Sequence, residues 1–113
     1  MRADGKLDYI EMQAADGAID AVRSFYSAAF GWSFTHYGPG YSAFSEGLDG
    51  GFAADADREA KPLPVIFSTD IGGALEAVRE AGGTIVRPIF AFPGGRRFHF
   101  RDPAGNELAV WAE

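Results

Sequence analysis

The stretch GAIDAVR at residues 17–23 returns almost unchanged as GALEAVR at residues 73–79. Five of the seven positions are identical, and the other two exchange Ile for Leu and Asp for Glu. The offset of 56 residues is close to half of the 113-residue chain. Ala-rich helices can look alike by chance, but the flanking patterns agree as well, so the repeat predicts two similar halves.

Each copy of the repeat has the signals of an amphipathic helix that follows a strand. Apolar runs at residues 7–12 and 65–67 come first, and an Asp that can cap a helix follows each run. These caps are Asp16 in the first half and Asp70 in the second. Gly31 and the Gly pair at residues 82–83 end the helices, because Gly accepts the left-handed conformation found there.

Three short runs with strand character follow each helix. They are residues 32–37, 41–45 and 51–53 in the first half and 84–92, 96–101 and 106–111 in the second. The sequence therefore predicts an α+β fold of two β-α-β-β-β repeats. Each repeat is a curved, mostly antiparallel sheet with a helix on one face, and the two sheets enclose a small-molecule cavity. We expect one domain over residues 1–113, with half-modules at about 7–53 and 64–112 and a connector at about 54–63.

Composition excludes several classes of function. Sixteen acidic and ten basic residues give a formal net charge of −6, which disfavours nucleic-acid binding. Without cysteine the chain has no thiol chemistry, disulfide or sulfur-rich zinc site. No apolar run is long enough to span a membrane, and the N-terminus lacks the apolar stretch of a secretory signal. We expect a cytoplasmic protein with no membrane or nucleic-acid partner.

Two motifs carry a family resemblance. FYSAAFGW lies at residues 25–32 and FHFRDPAGN at residues 98–106, with Ala15 and Asp16 before the first helix. Together they resemble the vicinal oxygen chelate superfamily, which has the glyoxalase/bleomycin resistance protein/extradiol dioxygenase fold. The resemblance spans about residues 7–111 and implies a homodimer that binds a small-molecule ligand.

The resemblance also implies a divalent metal held by His, Gln or Glu side chains on the first and last strands of each half. Three of these positions fall on Tyr9, Pro64 and Ala109, and a fourth lies near Glu46. Pro and Ala side chains offer no donor atom, and a single Glu does not hold a catalytic metal. We therefore expect no cofactor and no metal site; a shifted alignment of the ligand positions would restore a divalent metal.

Strand alternation suggests candidate ligand-binding residues. In the first strand Tyr9, Glu11 and Gln13 share one face, and the apolar alternate positions share the other. Glu11 would favour a cationic or hydroxyl-bearing ligand or act as a general acid or base, or it would pair with Arg97 or Arg101. In the last strand Glu107 and Trp111 have the parity of Ala109 and are also expected to face the cavity, although core packing is the alternative for the indole.

The two histidines complete the candidate set. His36 ends a predicted strand and is expected at the surface or in a structural role rather than as a base or metal ligand. His99 lies between Phe98 and Phe100. If those two rings pack under the helix, His99 faces the cavity; otherwise it is exposed.

Three hypotheses of function follow. The first is a protein that binds a small, cationic molecule in a metal-free cavity, as bleomycin resistance proteins do. The second is an enzyme, either a metal-free acid/base catalyst using Glu11 with His99 or His36, or a metal-dependent lyase, isomerase or dioxygenase. The third is a non-catalytic structural or regulatory subunit. The sequence assigns no catalytic residue, and the missing metal ligands favour the first hypothesis.

Overall fold

The computed structural model describes residues 2–15, 17–54 and 61–113. The chain forms two compact units, one of Tyr9–Pro62 and one of Met1–Asp8 with Leu63–Glu113, which we call the N-terminal and C-terminal units. The predicted helix cap Asp16 and most of the predicted connector, residues 55–60, lie outside the described residues. None of the helices in the described ranges is long and apolar enough to cross a membrane.

In its described residues, the N-terminal unit has one helix and four strands. Its elements are β1 (Lys6–Gln13), α1 (Ile19–Phe30), β2 (Thr35–His36), β3 (Tyr41–Glu46) and β4 (Leu48–Ala53), and the first residues of β1 belong to the C-terminal unit. The strands lie in the order β2-β3-β4-β1. Strand β3 is antiparallel to β2 and β4, whereas β1 is parallel to β4.

The core of this unit lies between α1 and one face of the sheet. Phe44 and Phe52 are buried there with Ile19 of the helix. Ile10 and Met12 pack against the same cluster, so alternate side chains of β1 point to the helix as predicted.

Strand β2 is shorter than predicted, because residues 32–34 precede it without strand pairing. The Trp32 and Phe34 rings pack into the core cluster instead, and the Trp32 ring stacks on Tyr26 with centroids 4.7 Å apart. Burial of these rings gives the segment a tertiary role that the β-propensity of its residues does not predict.

The C-terminal unit repeats this arrangement. Its elements are β5 (Leu63–Phe67), α2 (Ile71–Glu80), β6 (Thr84–Phe92), β7 (Gly95–Arg101) and β8 (Glu107–Ala112), with strand order β5-β8-β7-β6. Strand β5 is parallel to β8, and the other neighbours are antiparallel. Phe98 and Val110 are buried against Ile71 and Leu75 of α2.

The helix starts differ between the two halves. The Asp70 side chain accepts a 3.0 Å hydrogen bond from the Gly73 backbone N–H, which confirms it as the cap of α2. Helix α1 starts after Ala18, whose methyl side chain cannot accept a hydrogen bond. The α+β class and the two β-α-β-β-β repeats are confirmed, while the small-molecule cavity stays a prediction.

Candidate functional site

One face of the N-terminal sheet carries three of the predicted site residues. Because Ile10 and Met12 point to α1, the side chains of Tyr9, Glu11 and Gln13 lie on the opposite face. We call it the helix-free face of the N-terminal unit; its members are Tyr9, Glu11, Gln13, Tyr41, Asp49 and Gly51. The strand register places these residues next to one another.

A pair of tyrosines crosses the middle of this face. The hydroxyl groups of Tyr9 and Tyr41 are hydrogen-bonded to each other. They lie over Gly51, where a Cβ atom would collide with the Tyr41 ring and the Tyr9 hydroxyl. The absence of a side chain at Gly51 therefore makes room for the pair.

The Tyr9 phenol is held in its neutral form. Burial raises its pKa above the ordinary value of 10.0, the hydrogen bond with Tyr41 opposes this shift, and the negative charges of Glu11 and Asp49 add to it. Tyr9 is therefore a neutral phenol at physiological pH.

Glu11 supplies a carboxylate to the same face. Only 5% of the residue is exposed, although carboxylates are seldom buried to this degree. A buried carboxylate interacts with a nearby cation more strongly than an exposed one does, because water screens it less. This face therefore combines negative charge with aromatic hydroxyl groups.

His36 lies on the other side of the sheet from Tyr9 and Glu11. His36 of β2 lies opposite Ser42 of β3, and its Nδ1 is 2.8 Å from the Ser42 hydroxyl oxygen. Ser42 in turn pairs with Phe52 of the helix-side core. The structure therefore does not bring His36 together with the other predicted residues of this unit.

In the C-terminal unit, the position of Phe98 decides where His99 lies. Phe98 is buried under α2 and Phe100 packs against the same cluster. His99 therefore lies on the face opposite the helix, and it is fully buried. Its Nδ1 is 3.0 Å from the Glu107 carboxylate oxygen Oε2, so two predicted site residues are in contact.

The Glu107 carboxylate determines the tautomer of His99. A carboxylate only accepts hydrogen bonds, so the Nδ1–H donates to it and Nε2 keeps its lone pair. Burial lowers the His99 pKa below the ordinary value of 6.5; Glu107 opposes the shift, and the positive charges of Arg97 and Arg87 add to it. The imidazole is therefore neutral at physiological pH.

The second ring nitrogen of His99 has no partner among the described residues. Nε2 is buried and makes no hydrogen bond to them. Leaving a buried polar atom without a partner costs about 1–3 kcal/mol of stability. Such a cost points to a partner outside the chain or to a role for the atom in binding.

Trp111 makes both a ring contact and a hydrogen bond within the C-terminal unit. Its ring packs edge-on against Phe67 with centroids 5.2 Å apart, and its Nε1–H donates to the Asp8 carboxylate over 3.0 Å. The Arg2 guanidinium lies 4.8 Å from the indole centroid and 3.4 Å from the same carboxylate. Sequence reasoning missed Asp8, Arg2 and Tyr41, because their roles depend on contacts between strands that are distant in sequence.

The residues at the family's metal positions do not fit a metal centre. The Tyr9 hydroxyl is hydrogen-bonded to the Tyr41 hydroxyl, and Ala109 offers only a buried methyl group. Glu46 alternates to the helix side of β3 with Phe44, and its Oε2 accepts a 3.0 Å hydrogen bond from the Ser33 N–H. Across residues 2–15, 17–54 and 61–113, no group of three or more His, Cys, Asp or Glu residues is placed to hold a metal ion.

Comparison with known proteins finds a relative in sequence and several relatives in structure. Anthracycline biosynthesis protein DnrV of Streptomyces peucetius is 31% identical over 134 aligned positions, which cover 96% of this chain and 47% of DnrV. The chain thus spans about half the length of this relative.

Two solved structures show the same fold at low identity. A glyoxalase/bleomycin resistance protein/dioxygenase superfamily member from Vibrio splendidus 12B01 has a TM-score of 0.70 and 15% identity, with 96% of this chain and 100% of that chain covered. The Mn(II)-bound glyoxalase from Novosphingobium aromaticivorans has a TM-score of 0.66 and 17% identity, with 99% and 40% covered. Similarity at these identities establishes the fold alone.

The family follows from the match over most of the chain. The family model described as Glyoxalase/Bleomycin resistance protein/Dioxygenase superfamily matches residues 6–110. This range includes both helices and almost all of the strands. The chain belongs to the glyoxalase/bleomycin resistance protein/dioxygenase superfamily.

Proposed function

We propose that this protein binds a small cationic aromatic molecule on the helix-free face of the N-terminal unit, without a resident divalent metal. The observation that carries the proposal is the buried carboxylate of Glu11 on the same face as the hydrogen-bonded Tyr9–Tyr41 pair. A metal-dependent lyase, isomerase or dioxygenase would need donor atoms that Pro64 and Ala109 do not have.

Charge supports a cationic ligand. Glu11 and Asp49 place two carboxylates on this face, and both act on the proton affinity of Tyr9. The chain as a whole has a formal charge of −6, which attracts cations over longer distances. An ammonium group next to Glu11 would make a charge-assisted hydrogen bond to its carboxylate.

Aromatic rings supply the apolar part of the proposed site. The Tyr37 and Tyr41 rings lie 6.4 Å apart, and Tyr37 is 68% exposed. Tyrosine faces attract cations and pack against flat ligands. The name of DnrV, an anthracycline biosynthesis protein, suggests a probe with these properties, since many anthracyclines join a fused ring system to an amino sugar.

The test is a fluorescence titration of metal-stripped protein with daunorubicin, an anthracycline with a protonated amine. We expect saturable binding, and we expect Glu11→Gln to raise the Kd about tenfold, which corresponds to the loss of about 1.4 kcal/mol. Glu46→Gln is the matched control, because it makes the same chemical change on the helix side, and it should leave the Kd unchanged. Equal affinity of the wild type and Glu11→Gln would refute the proposal.

We also propose that the protein forms a homodimer, as the family resemblance implies. Large apolar side chains remain exposed on the single chain, among them Phe25 and Phe30 of α1, which are 59% and 68% exposed, and Leu48 of β4, which is 69% exposed. Contact with a second copy would remove such side chains from water.

A further inference from the structure

We propose that Nε2 of His99 accepts a hydrogen bond from an acidic hydroxyl group, phenolic or enolic, of a small aromatic ligand. This site lies in the C-terminal unit and does not depend on Glu11 or on a cationic ligand. It would be a second binding determinant of the protein, which prefers an uncharged hydroxyl donor where Glu11 prefers a cation.

Glu107 fixes the orientation of the His99 imidazole. The 3.0 Å contact with Glu107 holds Nδ1–H as a donor, so Nε2 is a fixed acceptor. The same atom is buried and has no hydrogen-bond partner among the described residues. Glu107 itself is about one-third exposed, so this His–Glu pair reaches the surface at its carboxylate end.

Two arginines place positive charge near the His99 ring. The Arg87 and Arg97 guanidinium carbons lie 4.2 and 5.4 Å from the centroid of the Phe90 ring, which is itself 5.8 Å from the His99 ring. Both positive charges act on His99. These charges repel an ammonium donor. They favour a hydroxyl donor, because its oxygen becomes more negative when the hydroxyl donates a hydrogen bond to Nε2.

Access of a ligand to His99 depends on strand β6, which pairs with the strand that carries it. Strand β6 pairs with β7 at Arg87↔His99 and Phe90↔Arg97, but the register shifts between these two pairs and again between Ile85 and Arg87. Pro88, between the two pairs, has no N–H to give to the ladder. The segment next to His99 is therefore irregularly paired, which is a common feature beside binding sites, and Phe90 offers a ring face to an aromatic ligand.

The test compares 1-naphthol with 1-methoxynaphthalene, which has the same ring system but no hydroxyl hydrogen. We expect 1-naphthol to bind the wild-type protein with a Kd about 3- to 10-fold lower, as one neutral hydrogen bond provides. His99→Phe should abolish this difference. His36→Phe is the matched control, because it removes the only other histidine, and it should preserve the difference.

Nitrogen-15 NMR of the labelled wild type provides a readout that needs no variant to fold. Only two imidazoles are present, and addition of 1-naphthol should shift the Nε2 resonance of His99 while that of His36 stays in place. Equal Kd values for the two probes, or an unshifted Nε2 resonance, would mean that Nε2 serves only a buried water and would overturn the proposal. Because both probes are uncharged, failure here is separate from failure of the Glu11 site.

Discussion

Gly51 is the residue over which the Tyr9–Tyr41 pair is built, and a single methyl group tests that arrangement. We expect Gly51→Ala to destabilise the protein by about 1–3 kcal/mol, because the new Cβ atom collides with the Tyr41 ring and the Tyr9 hydroxyl. Urea unfolding followed by circular dichroism measures the change. Gly40→Ala is the control, since nothing lies within 4 Å of a Cβ atom there, and the change should stay within about 0.5 kcal/mol.

A second prediction at the residue scale concerns His99 and pH. Its folded-state pKa is lowered by burial and by Arg97 and Arg87, against the opposing effect of Glu107, so the unfolded chain takes up the proton first. Above the unfolded-state pKa of about 6.5, His99 is neutral in both states and does not change the stability. As the pH falls from about 6.5 through the folded-state pKa, the protein loses stability.

Two measurements check this pH dependence. An NMR titration should place the midpoint of His99 below 6.5. Urea unfolding at about pH 7.5 and pH 5.5 should show a larger loss of stability in the wild type than in His99→Gln, which lacks the group. A His99 midpoint at or above 6.5 would contradict the assignment of a buried, neutral imidazole.

At the scale of elements, the cap of α2 is open to a direct test. Asp70→Ala should cost about 1 kcal/mol of unfolding free energy, because the Gly73 N–H loses its 3.0 Å partner. Glu80→Ala, in the exposed last turn of the same helix, should change stability by no more than about 0.5 kcal/mol. Loss of the same stability in both variants would show that the cap bond is not the cause.

The helices and the Asp70 cap belong to the features that sequence predicts well. Asp70 marks the start of α2 through a contact with a residue only three positions away, and alternation in β1 correctly separates Ile10 and Met12 from Glu11. These signals are local, so they can be recognised in the sequence without knowledge of the partner strands.

The sequence alone does not predict which residues of different strands come into contact. The contact of Tyr9 with Tyr41 joins residues 32 positions apart, and the contact of Trp111 with Asp8 joins residues 103 positions apart. The sequence alone does not determine on which face of the sheet His99 lies; the burial of Phe98 under α2 does. Each contact depends on the strand register, which side-chain alternation alone does not determine.

At the scale of the whole molecule, the proposed homodimer predicts a mass near twice 12.1 kDa. Sedimentation velocity over a range of protein concentrations measures it. The expected result is a dimer that dissociates only on dilution, because burial of exposed apolar side chains such as Phe25 and Phe30 provides the driving force. A mass of 12.1 kDa at every concentration would contradict the proposal.

The proposed binding of daunorubicin requires no metal, and isothermal titration of daunorubicin into chelator-treated protein measures whether this is so. The titration is repeated after addition of Mn²⁺, Ni²⁺, Zn²⁺ or Fe²⁺, with metal content measured alongside. We predict stoichiometric binding to the metal-stripped protein, with a Kd that added metal leaves unchanged, because Pro64 and Ala109 offer no ligands and Tyr9 is bonded to Tyr41. Binding that appears only with a stoichiometric metal would contradict the account.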